Sequence, residues 1–241
     1  MKNLVRSMVA TATLVFSSTA FAQAMPPPPS PSQTPPPPVN IHSTMGTRND
    51  YRQGLQAWDM KKFESQPAAA EQSARSVADC LARHAKAKAG ELVGGPMTDD
   101  PKYDHLMRAL TGKYNVCFTA EARGLPMYVL NGALAEQIVR GENRAFKDFD
   151  TPADNAAAAA FYASAGGPTM DSVGRCLAIY SPGLVYRVIA APAGTPQETS
   201  AMSTVYSETP LCNVRTPPKG IPTSEQRAAM AVGLYAWTHR S

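Results

Sequence analysis

Ser76-Val77-Ala78-Asp79-Cys80-Leu81-Ala82 returns 96 residues later as Ser172-Val173-Gly174-Arg175-Cys176-Leu177-Ala178. At the same offset Pro96 faces Pro192. The offset then drops to 95, so that Asp100-Pro101 faces Thr195-Pro196, Met107 faces Met202 and Cys117 faces Cys212. It returns to 96 at Arg123-Gly124-Leu125-Pro126, which faces Lys219-Gly220-Ile221-Pro222. One deletion and one compensating insertion, both near turn residues, are the marks of a diverged duplication. The chain is therefore read as an internal repeat of about 65 residues, and whatever one copy folds into the other must fold into as well.

Each copy reads as helices. Val77, Cys80, Leu81 and His84 stand at i, i+3, i+4 and i+7, as do Val173, Cys176, Leu177 and Tyr180, which predicts one inward stripe per copy. On that stripe His84 is expected to be a core residue, since its counterpart is a tyrosine. A short second helix should carry Leu92 and Val93, or Val188 and Ile189, and end before Pro96 or Pro192. A third should start at Pro101 or Pro196, capped by Asp100 or Thr195. Its stripe is Tyr103, Leu106, Met107 and Leu110 in one copy, and Ala201, Met202 and Val205 in the other. After the second cysteine, a Gly-Leu/Ile-Pro turn leads to a last helix with Leu130, Ala133, Leu134 and Ile138, or Met230, Gly233, Leu234 and Trp237. The one ambiguous segment is Leu184–Ala190, which also carries strand character. The Ala-rich run at 155–167 reads as a helix and hinge between the copies. The expected fold is all-α: two tandem disulfide-stapled units of about four helices each, at 68–145 and 146–241.

What precedes the repeat sets the address. Residues 1–22 have a basic start (Lys2, Arg6), an apolar stretch from Met8 to Phe16 and a terminal Ala20-Phe21-Ala22, the pattern of a secretory signal peptide. The stretch is shorter than the ~20 residues of a membrane span. No later segment qualifies as a span, and no cysteine follows closely enough for a lipid anchor. Residues 23–45 form a Pro-rich linker, with nine prolines between 24 and 39. Without N–H groups and with fixed φ, these favour an extended polyproline spacer, read here as a stalk in preference to a docking motif. Tyr51, Leu55 and Trp58 suggest an accessory helix within 46–67.

An exported chain with Cys80, Cys117, Cys176 and Cys212 calls for disulfides. Three connectivities are open, and all three are compatible with a pseudo-two-fold arrangement. Cys80–Cys117 with Cys176–Cys212 is favoured, because each unit then closes its own shorter loop. With no CxxC pair and gaps of more than 30 residues, a structural zinc site does not fit these cysteines.

The whole chain carries 23 Lys+Arg and 19 Asp+Glu; without the signal peptide the balance is 21 against 19. That leaves no basic footprint for nucleic acid. The chain contains no GxSxG, HExxH, SxxK or glycine-rich phosphate loop, and no cofactor is expected. The one acidic cluster is Asp99, Asp100, Asp104 and His105. Asp100, Asp104 and His105 are candidate metal ligands or an acid/base group, set against a helix cap with Asp99 and Asp104 complementing the dipole. Thr199 and Ser200 replace Asp104 and His105 in the other copy, so the cluster is not part of the repeated scaffold. His42 and His239 are expected in solvent.

The Cys-Leu-Ala stretch, the Pro-started helix, the second cysteine, the Gly-Leu/Ile-Pro turn and the Ala-rich helix together resemble a group of secreted alphaproteobacterial proteins, over about residues 76–140 and 172–237. The resemblance implies the Gram-negative periplasm and brings no activity with it. The expectation is a periplasmic or secreted helical module that binds a protein or cell-envelope component. The alternative is a small metal-binding protein or metal-dependent enzyme using the Asp/His cluster.

Overall fold

In a computed structural model, residues 66–94, 101–165, 167 and 169–240 are described. The signal-peptide, linker and accessory-helix expectations fall outside them. Eight α-helices follow one another among the described residues: α1 (Pro67–Ala85), α2 (Pro101–Thr111), α3 (Met127–Gly141), α4 (Asn155–Ala163), α5 (Met170–Tyr180), α6 (Pro182–Ala190), α7 (Pro196–Glu208) and α8 (Thr223–Thr238). Tight 3-10 turns at Lys86–Leu92, Asn115–Cys117, Ala122–Gly124 and Pro210–Cys212 join them. Among the described residues, the protein is all-helical. The ambiguous Leu184–Ala190 belongs to α6, started by Pro182. In the first half, the place of a second helix is taken by the Lys86–Leu92 turn, which buries Ala89 and Leu92.

The helix starts follow local chemistry. Thr195 caps α7 by accepting from the Glu198 amide at 3.3 Å, with Pro196 at the first helical position. Asp154 caps α4 by accepting from Ala156 and Ala157. At the head of α5, Thr169 and Ser172 bond reciprocally.

One continuous apolar core extends from Ala70 to Trp237 and draws on both disulfide-bonded stretches. Its hub is α8, buried from Ser224 to Leu234 and again at Trp237. A helix buried on several faces needs small residues wherever a neighbour crosses closely. A Cβ on Gly174 of α5 would stand 2.3 Å from the Ala229 carbonyl oxygen, and one on Gly233 would stand 2.7 Å from the Gly174 oxygen. On another face, a Cβ on Gly132 of α3 would meet the Ala228 Cβ at 2.5 Å. These glycines let α3 and α5 lie almost backbone to backbone against α8.

Cys80 is bonded to Cys117, and Cys176 to Cys212, spanning 37 and 36 residues. Each bond ties a helix (α1 or α5) to the turn that follows α2 or α7. None of the described helices is long and apolar enough to cross a membrane.

Two histidines depart from expectation. His84 is exposed, not in the core. The inward stripe of α1 runs Ala70, Ala74, Val77, Ala78, Leu81 and Ala85, so Ala85 takes the last inward place and His84 turns outward. His239, though exposed, is not simply solvated: it bonds Glu142 at 2.5 Å and stacks on Tyr235 at 4.2 Å, tying the end of α8 to the end of α3.

Candidate functional site

Among the described residues, the densest polar cluster surrounds Arg227, in the second turn of α8. The residue is buried, 1% exposed, and each of its three side-chain nitrogens donates a hydrogen bond. Nε and Nη2 reach Glu136 Oε2 on α3, each at 2.9 Å. Nη1 donates to Glu198 Oε1 on α7 at 2.7 Å and to the Val188 carbonyl at 2.8 Å. Nη2 also donates to the Ile189 carbonyl at 2.5 Å. Those carbonyls lie in the last turn of α6, where a helix lacks internal donors and favours positive charge. Arg227 therefore caps α6 while pinning α3 and α7 to α8.

Around this centre Glu136 also pairs with Arg75 of α1 at 3.0 Å and with Arg140 at 3.2 Å. Glu198 is held at both oxygens, since Oε2 accepts from the Gly194 amide at 2.7 Å. Glu71, near the start of α1, is different. Its Oε1 lies 3.7 Å from Arg227 Nε, within ion-pair range but too far for a hydrogen bond. Burial is the main influence on its carboxyl and raises its pKa to about 7; Arg227 and Arg75 oppose the rise, while Glu136 and Glu198 add to it. Burial by itself would lower the pKa of Arg227, but Glu136, Glu71 and Glu198 outweigh it and hold the guanidinium charged.

Glu71 and Glu198 line a cleft of about 480 Å³, within the range of small-ligand sites. The Ala193–Thr199 segment and the Gly220–Ser224 turn supply the remaining lining. Gly194 and Gly220 hold φ of +73° and +81°, left-handed values that glycine adopts without strain. Gly194 and Thr199 also border a shallower hollow of about 660 Å³ along the Ser/Thr face of α7. Several of these hydroxyls fold back onto their own helix, as Thr199 does to Thr195 and Thr204 to Ser200.

The residues singled out from sequence lie elsewhere. Asp100 is outside the described residues, as is the Asp104 side chain, and His105 is exposed on α2. Cys80, His84 and Cys117 have their ligand atoms within 4.8 Å of one another. The two sulfurs are bonded to each other, so that trio offers no thiolate to a metal. Glu71, Glu136, Glu198 and Arg227 were not anticipated. Two signals could have found some of them. Thr195-x-x-Glu198 has the spacing of a capping box, and Arg227 continues the Met230, Leu234, Trp237 stripe, so its charge falls on an inward face.

Comparisons with protein-family models, with curated proteins and with solved structures find no match to this chain.

Proposed function

We propose that this chain is an exported, non-enzymatic module that binds a protein or cell-envelope component through the cleft beside Glu71. One observation carries the reading: Glu198 is bonded at both carboxylate oxygens and Arg227 at every side-chain nitrogen, so these charged groups brace helices. Acid/base catalysis by paired carboxylates needs two groups able to exchange protons with a substrate, and here only Glu71 has that freedom. Two disulfides suit an oxidising compartment, in line with the expected signal peptide.

The proposed duplication strengthens the choice of site. It sets Tyr103 opposite Glu198, Val232 opposite Glu136 and Asn131 opposite Arg227. Asn131 performs a simpler version of the same task, accepting from the Gly94 amide at 2.7 Å and so anchoring the segment before α2 to α3. The charged cluster is then assembled from positions at which the two copies differ, Glu136 from the first and Glu198 and Arg227 from the second.

The test is photo-crosslinking in the native host, with the reactive side chain placed at Thr199 on the cleft wall or at Lys113 outside it, followed by mass spectrometry. A partner recovered from Thr199 and not from Lys113 supports the reading. Equal recovery from both positions, or none, overturns it.

A further inference from the structure

Resting on that reading, we propose that the cleft recognises a cationic side chain of a partner polypeptide, a lysine ammonium or arginine guanidinium paired with Glu71. The argument begins with the unmade bond. Glu71 is 8% exposed, yet among the described residues its carboxyl accepts no hydrogen bond and meets Arg227 only as an ion pair at 3.7 Å, because the three nitrogens of Arg227 donate to Glu136, Glu198, Val188 and Ile189. A buried carboxylate in that position gains most from a charge-assisted donor arriving from outside. The local charge agrees. Glu71, Glu136 and Glu198 stand with Arg75, Arg140 and Arg227, but Arg75 and Arg140 are both paired with Glu136, and Glu71 is the one carboxylate of the three with no guanidinium closer than 3.7 Å.

The remaining lining selects the kind of cation. Among the described residues, the cleft has no ionisable group apart from Glu71 and Glu198. Ile221 and Pro222 offer apolar surface, while Thr199, Thr223 and Ser224 bring hydroxyls. An aliphatic stem with a charged head matches such a lining, which is how lysine and arginine bury themselves. A bare metal ion would find two carboxylates, one of them already bonded at both oxygens, which is a poor oxygen cage.

The groups facing Glu71 are Arg75 from its own helix, Glu136 from α3, Glu198 from α7 and Arg227 from α8. The carboxyl titrates at about 7, so it is mostly protonated at pH 6 and mostly ionised at pH 8. A cation that binds the ionised form should gain about tenfold in affinity between those two values.

The experiment uses the folded, disulfide-bonded chain and amide NMR. The probes are N-acetyl-arginine amide, N-acetyl-lysine amide, spermidine and the neutral isostere N-acetyl-citrulline amide. The expected result is saturable shifts at Gly194, Thr199 and Gly220 with the arginine and lysine probes, about tenfold tighter at pH 8 than at pH 6. Citrulline should be at least tenfold weaker, and Glu71→Gln should abolish the difference. On the unsubstituted chain, saturating arginine probe should lower the Glu71 carboxyl titration, read by its side-chain carbon, by about two units. Citrulline binding as well as arginine, an unmoved Glu71 titration, or Glu71→Gln retaining full affinity would each overturn the proposal. Spermidine binding while both amino-acid probes fail would overturn the polypeptide source. The two readings fail separately. Probe binding without a crosslinked partner removes the partner reading alone, and a partner whose capture is unaffected by Glu71→Gln removes this inference alone.

Discussion

Replacing Arg227 with methionine keeps an unbranched side chain of similar reach and deletes five donors at the junction of α3, α6, α7 and α8. The Val188 and Ile189 carbonyls then lose their partner at the end of α6. Glu136 keeps Arg75 and Arg140, and Glu198 keeps the Gly194 amide, so the uncompensated loss falls on the two carbonyls and on three carboxylates left close together. Two orphaned carbonyls cost about 1–3 kcal/mol each, and removing one partner of a buried ion pair costs about 3–5 kcal/mol in measured cases. These overlap, so we expect a loss of about 4 kcal/mol at pH 8, a large part of a typical domain's stability. The deficit should shrink toward pH 5. Arg227 is the main charge opposing the raised pKa of Glu71, so its removal lifts that carboxyl further above its unfolded value, and such a group stabilises the fold at low pH and loses that contribution as pH rises. Urea unfolding followed by circular dichroism at pH 5, 6.5 and 8 measures both effects. A loss under about 1 kcal/mol at pH 8, or an identical deficit at pH 5 and pH 8, would refute the account of Arg227 as a four-helix brace.

Three further outcomes follow from the same packing. With a folded pKa of about 7 against an unfolded value of 4.5, Glu71 destabilises the chain progressively as pH rises from 4.5 to 7, by about 3 kcal/mol in total; Glu71→Gln should flatten that slope and stabilise the protein at pH 8. Gly174→Ala drives a methyl into the Ala229 carbonyl and should cost about 1–3 kcal/mol, whereas Gly141→Ala, with open space around it at the end of α3, should raise the melting temperature. Replacing both Cys176 and Cys212 with alanine opens a 36-residue loop and should lower stability by about 4 kcal/mol in denaturant titration.

How much of this was legible depended on the range of the interaction. Helix starts at Pro101 and Pro196 were readable because proline presets φ at its own position, joined at Pro196 by the Thr195 cap, which acts within four residues. The inward placing of Leu106, Leu110, Met202 and Val205 was readable because helical period alone puts them on one face. His84 was misplaced by one position, since four residues do not separate the stripe of Val77 and Leu81 from an edge that Ala85 fills. The charged cluster was illegible for a different reason. Glu71, Glu136, Glu198 and Arg227 come from four helices, and each by itself resembles an ordinary solvated helix residue. Only Arg227 sits where its own helix's apolar stripe makes a charge anomalous.

The hub helix α8 comes later in the chain than every described helix it braces. Until it is added, α3 and α5 present glycine-lined faces with nothing against them, and Glu136 and Glu198 lack their guanidinium. The core therefore cannot close before α8 has been made, and a chain cut short before Thr223 is expected to leave Gly132 and Gly174 uncovered.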